Sequence, residues 1–106
     1  MCMNTQFKKG ILDLCVLTLI EKKDYYGYEL VEKISSKFAI TEGTIYPILK
    51  RLTEEDYFET YLKESSDGPP RKYYRITKKG RQYQGNLIIE WTEFNKQVTA
   101  LLEEEN

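Results

Sequence analysis

The sequence contains no histidine, and this absence removes the residue on which most small enzymes would depend. Histidine is the commonest metal ligand and the commonest general base in proteins. The sequence also has no glycine-rich phosphate loop and no cluster of metal-ligating residues at the usual spacings. We therefore predict a protein that is not an enzyme and that carries no cofactor.

Cysteine is scarce, which argues against a redox centre or a disulfide framework. The two cysteines, Cys2 and Cys15, do not form the Cys-x-x-Cys pair of redox and zinc sites. Cys15 falls within a stripe of apolar residues, where free thiols usually behave as small hydrophobic groups. A buried and unreactive thiol is therefore the favoured interpretation, ahead of a redox role.

Long hydrophobic runs are missing, since no segment reaches the about 18 apolar residues of a membrane-spanning helix. Lys8 and Lys9 lead directly into an amphipathic stretch, without the pattern of a signal peptide. We expect a cytoplasmic protein with no membrane partner. Its 106 residues suffice for one compact unit with a modest core.

Acidic residues are missing from one part of the chain, although the formal net charge of the whole sequence is −1. None occurs between Gly68 and Ile89, whereas acidic runs stand at 54–56 and 103–105. A local basic patch can attract phosphate even when the whole protein is slightly acidic. The basic residues of this segment are Arg71, Lys72, Arg75, Lys78, Lys79 and Arg81.

The first part of the chain has the apolar spacing of two helices. Residues 5–22 carry apolar side chains at helical intervals, and residues 28–37 repeat the pattern with Leu30, Val31 and Ile34 inward. Residues 25–27 separate these two segments and are predicted to form a turn or a short connector.

A third helix is predicted from Ile45, Ile48, Leu49 and Leu52, which share one helical face. Pro47 would be costly deep inside a helix, so the helix should either begin close to Gly43 or bend at the proline. The opposite face presents Gly43, Pro47 and Lys50, flanked by Thr44, Tyr46 and Arg51. Such a flat and basic face suits close approach to a phosphate-lined groove.

Two strands are predicted next, at residues 57–64 and 72–77, because both segments are rich in aromatic and β-branched residues. Residues 65–70 between them form a polar turn with one glycine and two prolines. Alternation along the second strand places Tyr73 and Tyr74 on opposite faces, so one of them should enter the core.

The last helix should open at Thr77 and extend to about residue 104. Within it, apolar residues step by four, three, four and three, the spacing of a helix that pairs with another helix. These residues are Leu87, Trp91, Phe94, Val98 and Leu101.

The order of these elements predicts a mainly α-helical protein with a small β-hairpin, an α+β fold. We expect a winged helix-turn-helix DNA-binding domain over residues 1–77. The third helix would be its recognition helix, and the hairpin would be its wing. Residues 78–106 would form a long C-terminal dimerisation helix within the same compact unit.

The sequence resembles the PadR-type transcriptional regulators, in particular the short branch with a single C-terminal helix. The resemblance rests on residues Tyr26–Leu30, Gly43–Leu52 and Gly68–Thr77, in that order, and covers nearly the whole chain. It implies a homodimeric repressor that binds double-stranded DNA. The sequence departs from the family at Thr53 and Asp56, where Glu and Gly are common, and this puts the end of the third helix in doubt.

The resemblance also implies roles for individual residues. The family's third helix enters the major groove, its wing reaches the backbone or the minor groove, and its last helix builds the dimer. The implied DNA contacts are Thr44, Tyr46, Pro47, Lys50 and Arg51 in the helix and Gly68, Arg71 and Lys72 in the wing. The implied dimer contacts are Leu87, Trp91, Phe94, Val98 and Leu101.

Some short members of the family bind flat aromatic compounds between the subunits through a tryptophan of the last helix. Trp91 stands at the equivalent place, and Phe94 and Phe7 are candidate neighbours of such an effector. A tryptophan at this position could equally serve helix packing alone.

Five of the DNA-contact residues also have an alternative interpretation. Lys50 and Arg51 could form a solvated helix face, Tyr46 could belong to the core, and charged residues such as Arg71 and Lys72 can protect a sheet edge from aggregation. At the level of function, the alternative is a protein that binds flat aromatic compounds and whose basic wing is incidental.

Overall fold

The structure is a computed structural model that describes residues 5–104, with side chains from residue 10 onward. Within this range, four helices and a three-stranded antiparallel sheet confirm the predicted α+β class. The elements in chain order are α1 (Thr5–Lys22), β1 (Tyr25–Tyr26), α2 (Gly27–Ser35), α3 (Glu42–Glu54), β2 (Phe58–Ser65), β3 (Gly68–Ile76) and α4 (Lys78–Glu103).

The sheet has the strand order β1-β3-β2, so the long strand β3 lies in the middle. The prediction of a turn or connector at residues 25–27 was wrong, because Tyr25 pairs with Tyr74 and Tyr26 pairs with Tyr73. Two residues are too few to show the alternation that marks a strand. The pairing is instead supplied by β3, which lies far away in the sequence.

The hairpin of β2 and β3, here called the wing, is longer than the sequence predicted. β3 already begins at Gly68, and Ser65 pairs with Gly68, so the turn is shorter than the predicted residues 65–70. Pro69 and Pro70 therefore lie in the strand. Prolines are tolerated at the start of a strand, and here β1 reaches β3 only at Tyr73 and Tyr74.

The core lies between the helices and the inner face of the sheet. Tyr74 is 7% exposed and belongs to this core, whereas its neighbour Tyr73 points to the opposite face and is partly exposed. The predicted alternation of the two tyrosines is therefore confirmed. The other core residues include Leu12, Val16, Leu17, Ile20, Leu30, Ile34, Ile45, Leu49, Leu52, Phe58 and Ile76.

α3 begins at Glu42, close to the predicted start, so Pro47 is the sixth helical residue and lies in the second turn, where it removes the one backbone bond that its N–H would donate to the carbonyl of Gly43. Its end is a left-handed residue, Asp56, with φ of 66°. The N–H of Tyr57 donates to the carbonyl of Leu52 at 2.9 Å, and the N–H of Asp56 donates to that of Thr53 at 3.0 Å. This is the Schellman arrangement that usually uses glycine.

α4 is anchored at its first turn and then packs along α1. The N–H of Gly80 donates to the hydroxyl of Thr77 at 2.9 Å, and that hydroxyl donates to the carbonyl of Asp56 at 2.7 Å. Tyr83 stacks on Tyr57 with ring centroids 4.3 Å apart. The molecule is elongated, 57 × 30 × 20 Å. No helix within residues 5–104 combines the length and apolar character that crossing a membrane requires.

Candidate nucleic-acid interface

The inner face of α3 packs in the core, and its outer face is open to solvent. Ile45, Leu49 and Leu52 are fully buried and anchor the helix. Pro47 and Lys50 are exposed on the outside and Thr44 is partly exposed. The face predicted from the sequence is therefore available for contact with another molecule.

Tyr46 lies at the edge of this face and rests against the start of α2. Its ring leaves no room for a side chain on Gly27, since a Cβ there would lie 2.8 Å from the ring atom Cε1. The residue is 40% exposed, which agrees with the predicted half-exposed ring. Partial burial, followed by the charge of Glu42, raises the pKa of Tyr46. The hydroxyl therefore stays protonated at neutral pH and can donate a hydrogen bond.

Arg51 is turned toward α1. Its Nη2 lies 2.5 Å from Oδ1 of Asp13, and the Arg51 and Asp13 side chains are 28% and 5% exposed. Sequence reasoning missed this ion pair, although one signal was present. Asp13 is a charged residue inside an otherwise apolar helical stripe, and buried charges are almost always paired.

Some basic side chains of residues 68–89 form ion pairs or hydrogen bonds within the protein, and others do not. Arg75 lies 3.4 Å from Asp24, Arg81 lies 3.7 Å from Glu21, and the ammonium of Lys79 donates to a backbone carbonyl. Arg71 and Lys72 of the wing are exposed, and no carboxylate of the described residues lies within 4.0 Å of either. Within this segment, the cations that remain available to a phosphate are therefore Arg71 and Lys72 of the wing and Lys78 at the start of α4.

A groove of about 370 Å³ separates α3 from the wing, and we call it the wing groove. Tyr46 borders it on one side together with Tyr26 and Gly27, and the wing segment Gly68–Lys72 borders it on the other together with the acidic Asp67. The structure thus brings Tyr46, Gly68, Arg71 and Lys72 together. Thr44, Pro47, Lys50 and Arg51 do not border this groove.

A row of tyrosines crosses the sheet on the face that carries Tyr73, and we call it the tyrosine row. Ring centroids are 6.2 Å apart for Tyr28 and Tyr26, 5.8 Å for Tyr26 and Tyr73, and 5.5 Å for Tyr73 and Tyr61. Sequence reasoning missed this row because it depends on the pairing of β1 with β3. Cations lie over three of its rings, namely Arg71 over Tyr26, Lys63 over Tyr73 and Arg75 over Tyr61.

The sequence matches the transcriptional regulator PadR-like family over residues 16–86. The chain belongs to this family. Membership confirms the resemblance stated above, and it confirms that the chain is a transcriptional regulator and not an enzyme.

Solved structures of PadR-like regulators have the same fold. A PadR-like regulator from Bacillus cereus is 40% identical, with 93% of this chain and 98% of that chain covered and a TM-score of 0.83. A transcriptional regulator from Streptococcus is 35% identical, with 94% and 100% covered and a TM-score of 0.85. PadR of Bacillus subtilis, crystallised with operator DNA, shares the fold at 24% identity and a TM-score of 0.67, over 74% of this chain and 47% of that one.

The C-terminal helix α4 of this PadR-family chain carries an exposed apolar stripe. Trp91, Phe94, Val98 and Leu101 are 37%, 48%, 38% and 67% exposed. Leu87, predicted as part of the same stripe, is only partly exposed because it packs against the core. Sequence reasoning missed three further exposed apolar residues of α4, namely Ile88, Ile89 and Leu102.

Two apolar grooves flank Trp91, one of about 440 Å³ toward Ile11 and one of about 390 Å³ toward Cys15. Phe94 borders the first groove. The side chain of Phe7, the third candidate effector contact, lies outside the described residues. Burial raises the pKa of Cys15, which supports the interpretation of an unreactive thiol.

Proposed function

We propose that this PadR-family chain represses transcription by binding a roughly palindromic operator as a homodimer. The observation that carries the proposal is the wing groove, where Tyr46 of α3 faces two wing cations with no carboxylate partner in the described chain. The operator complex of Bacillus subtilis PadR supports the same use of this fold.

The proposed contacts fall into two groups. The outer face of α3 enters the major groove through Thr44, Tyr46, Pro47 and Lys50. The wing contacts the backbone through Gly68, Arg71 and Lys72. Phosphate contacts position a protein on DNA, whereas contacts with base edges give specificity.

Arg51 belongs to this set in a restricted role. Its Nη2 is held by Asp13, but the side chain keeps 28% of its surface exposed. Its remaining N–H groups can reach a phosphate beside the groove helix, while the ion pair holds the guanidinium in place. We assign Arg51 to the backbone and not to a base.

Salt dependence of DNA binding tests the proposal directly. The protein would be titrated against labelled duplex from upstream of its own gene at several salt concentrations. Affinity should fall by about 0.9 log units per log unit of salt for each phosphate neutralised. Arg71→Ala with Lys72→Ala should weaken binding at every sequence and reduce the slope. Negligible binding, or a slope unchanged in the double variant, would contradict the proposed role of the wing.

Dimerisation is proposed to use the exposed stripe of α4 together with α1. The exposed fractions of Trp91, Phe94, Val98 and Leu101 leave a contiguous apolar surface that a second copy can cover. Leu87 would link this surface to the core beneath it. In a symmetric dimer the two groove helices should meet half-sites about 34–36 Å apart.

A flat aromatic effector is proposed to bind beside Trp91 and Phe94, because two apolar grooves meet there. Such a ligand can regulate only if it binds one spacing of the groove helices better than another. Trp91 is the only tryptophan of the sequence, so quenching of its fluorescence reports binding. Quenching without any DNA binding would favour the alternative, a binding protein for aromatic compounds with an incidental wing.

A further inference from the structure

The register of β1 and β3 places Arg71 next to a ring that precedes α2. Tyr26 is the partner of Tyr73. Arg71 stands two residues before Tyr73 on the same strand, so it is the diagonal neighbour of Tyr26 on the same face of the sheet. Diagonal neighbours are within reach of long side chains. The guanidinium of Arg71 lies 4.8 Å from the centroid of the Tyr26 ring.

Tyr26 is itself held from several sides. Its backbone N–H donates to the carboxylate of Glu29 at 3.2 Å, where α2 begins. Its ring contacts the rings of Tyr28 and Tyr73 in the tyrosine row. The ring is therefore a fixed platform, and a guanidinium that lies over it loses much of the freedom of a surface arginine.

Within the described residues, the hydrogen-bonding edge of Arg71 is left unused. A guanidinium over a ring uses its flat face, while its N–H groups point outward in the plane. Arg71 is exposed, borders the wing groove, and has no carboxylate of the described residues within 4.0 Å. Lys72 borders the same groove, and no ring of the described chain lies under its ammonium.

We propose that Tyr26 is a positioning residue that holds Arg71 in the orientation from which it contacts a DNA phosphate. This inference rests on the proposed DNA-binding function. Because the ring already restricts the rotamers of Arg71, this side chain loses less conformational freedom on binding DNA than a mobile side chain would. Lys72 has no such support and contributes charge alone.

The tyrosine row could instead be a surface on which unpaired bases stack, since exposed aromatic rings bind single strands in this way. The contacts speak against this use. The rings of Tyr61 and Tyr73 stack on each other with an interplanar angle of 15°, and cations lie over both. With these faces occupied inside the protein, the row is better suited to support the wing.

The experiment measures duplex affinity and its salt slope for the full chain and a set of variants. Tyr26→Ile removes the ring but keeps a residue that favours strands. Tyr26→Phe keeps the ring. Tyr61→Leu, a change at a ring of the tyrosine row that neither contacts the Tyr26 ring nor carries Arg71, is the matched control. Arg71→Ala and the double variant Tyr26→Ile with Arg71→Ala complete the thermodynamic cycle.

Tyr26→Ile should weaken binding about threefold to tenfold at every sequence, the cost of ordering one free side chain on binding. Its salt slope should match that of the wild type, because Arg71 still neutralises a phosphate once bound. Tyr26→Phe and Tyr61→Leu should bind like the wild type. Arg71→Ala should lower the slope by about 0.9, and adding Tyr26→Ile to it should change nothing further.

Full additivity of Tyr26→Ile and Arg71→Ala would overturn the inference, and so would wild-type affinity in Tyr26→Ile. If Tyr26→Ile fails to fold, Arg71→Lys replaces it, because lysine keeps the charge without the flat plane. This variant should show the same loss at an unchanged slope, and wild-type affinity in it would refute the role of the ring. A wild-type chain that binds no duplex would overturn the proposed function together with the inference.

Discussion

Asp13 and Arg51 show how a single buried charge can fix the orientation of a helix. The carboxylate of Asp13 is nearly inaccessible to solvent and lies against Arg51, which joins α1 to α3. Burying a charge without a partner is costly, so the pair favours one arrangement of the two helices. The helix proposed to read DNA is thereby tied to the helix that lines the grooves beside Trp91.

Asp13→Asn should lower the free energy of unfolding by about 1.5–3 kcal/mol, the range for hydrogen bonds to charged groups. Urea denaturation followed by circular dichroism measures this change. Glu54→Gln removes an exposed carboxylate from α3 and should change stability by less than about 0.5 kcal/mol. Equal stability of Asp13→Asn and the wild type would show that the pair does not hold the helices together.

Asp56 has a left-handed backbone conformation, which is unfavourable for a residue with a side chain. Its φ of 66° lies in the left-handed region, where glycine has no steric penalty. Asp56→Gly should therefore raise the free energy of unfolding by about 0.5–1 kcal/mol, part of the cost of a side chain in that conformation. Glu55→Gly, at the preceding residue with φ of −89°, is the matched control and should destabilise. A loss of stability in Asp56→Gly would contradict the assigned helix end.

Elements that depend on local spacing could be predicted from the sequence, and those that depend on distant partners could not. The helices and the wing were predicted because apolar periodicity and turn residues are local signals. β1 was not, since Tyr25 and Tyr26 become a strand only beside Tyr74 and Tyr73. The same limit hid the Asp13–Arg51 pair and the stacking of Arg71 on Tyr26, whose partners are far apart in the chain.

The first turn of α4 must approach the end of α3 closely, and Gly80 makes this possible. A Cβ at Gly80 would lie 2.1 Å from the carbonyl oxygen of Tyr57. Gly80→Ala should lower the free energy of unfolding by about 1–3 kcal/mol or more, the cost of overpacking, because backbone atoms must move.

Gly85 in the same helix is the matched control for that change. A Cβ there meets nothing within 4 Å. Gly85→Ala should raise stability by about 0.5–1 kcal/mol, because alanine favours helices more than glycine does. Thermal melts of both variants test the pair of predictions. Similar melting temperatures for the two variants would refute the close contact between α4 and Tyr57.

At the scale of the whole molecule, the distribution of charge matters more than the net charge of −1. Arg75 and Arg81 are paired with acidic residues at the base of the wing and at α1. Arg71 and Lys72 at the wing and Lys50 on α3 are exposed. The basic surface proposed to meet DNA is therefore smaller than the basic segment of the sequence.

The exposed apolar stripe of α4 would be buried only when a second copy of the chain packs against it in the proposed dimer. Val98→Glu places a charge in that stripe and should raise the dimer dissociation constant at least about 30-fold, as for a central interface residue. Sedimentation at several concentrations measures the change. Lys96→Glu, an exposed position on the other side of α4, should leave the dimer intact. An unaffected dimer in Val98→Glu would place the interface elsewhere.

Selection of genomic DNA fragments by the purified protein tests the central claim most directly, because the operator sequence does not have to be specified. A homodimeric PadR-family regulator should enrich a small set of fragments that share an inverted repeat. Its half-sites should be centred about one helical turn apart, roughly 34–36 Å. Enrichment no greater than that of the input library, at low salt and without added ligand, would contradict the account.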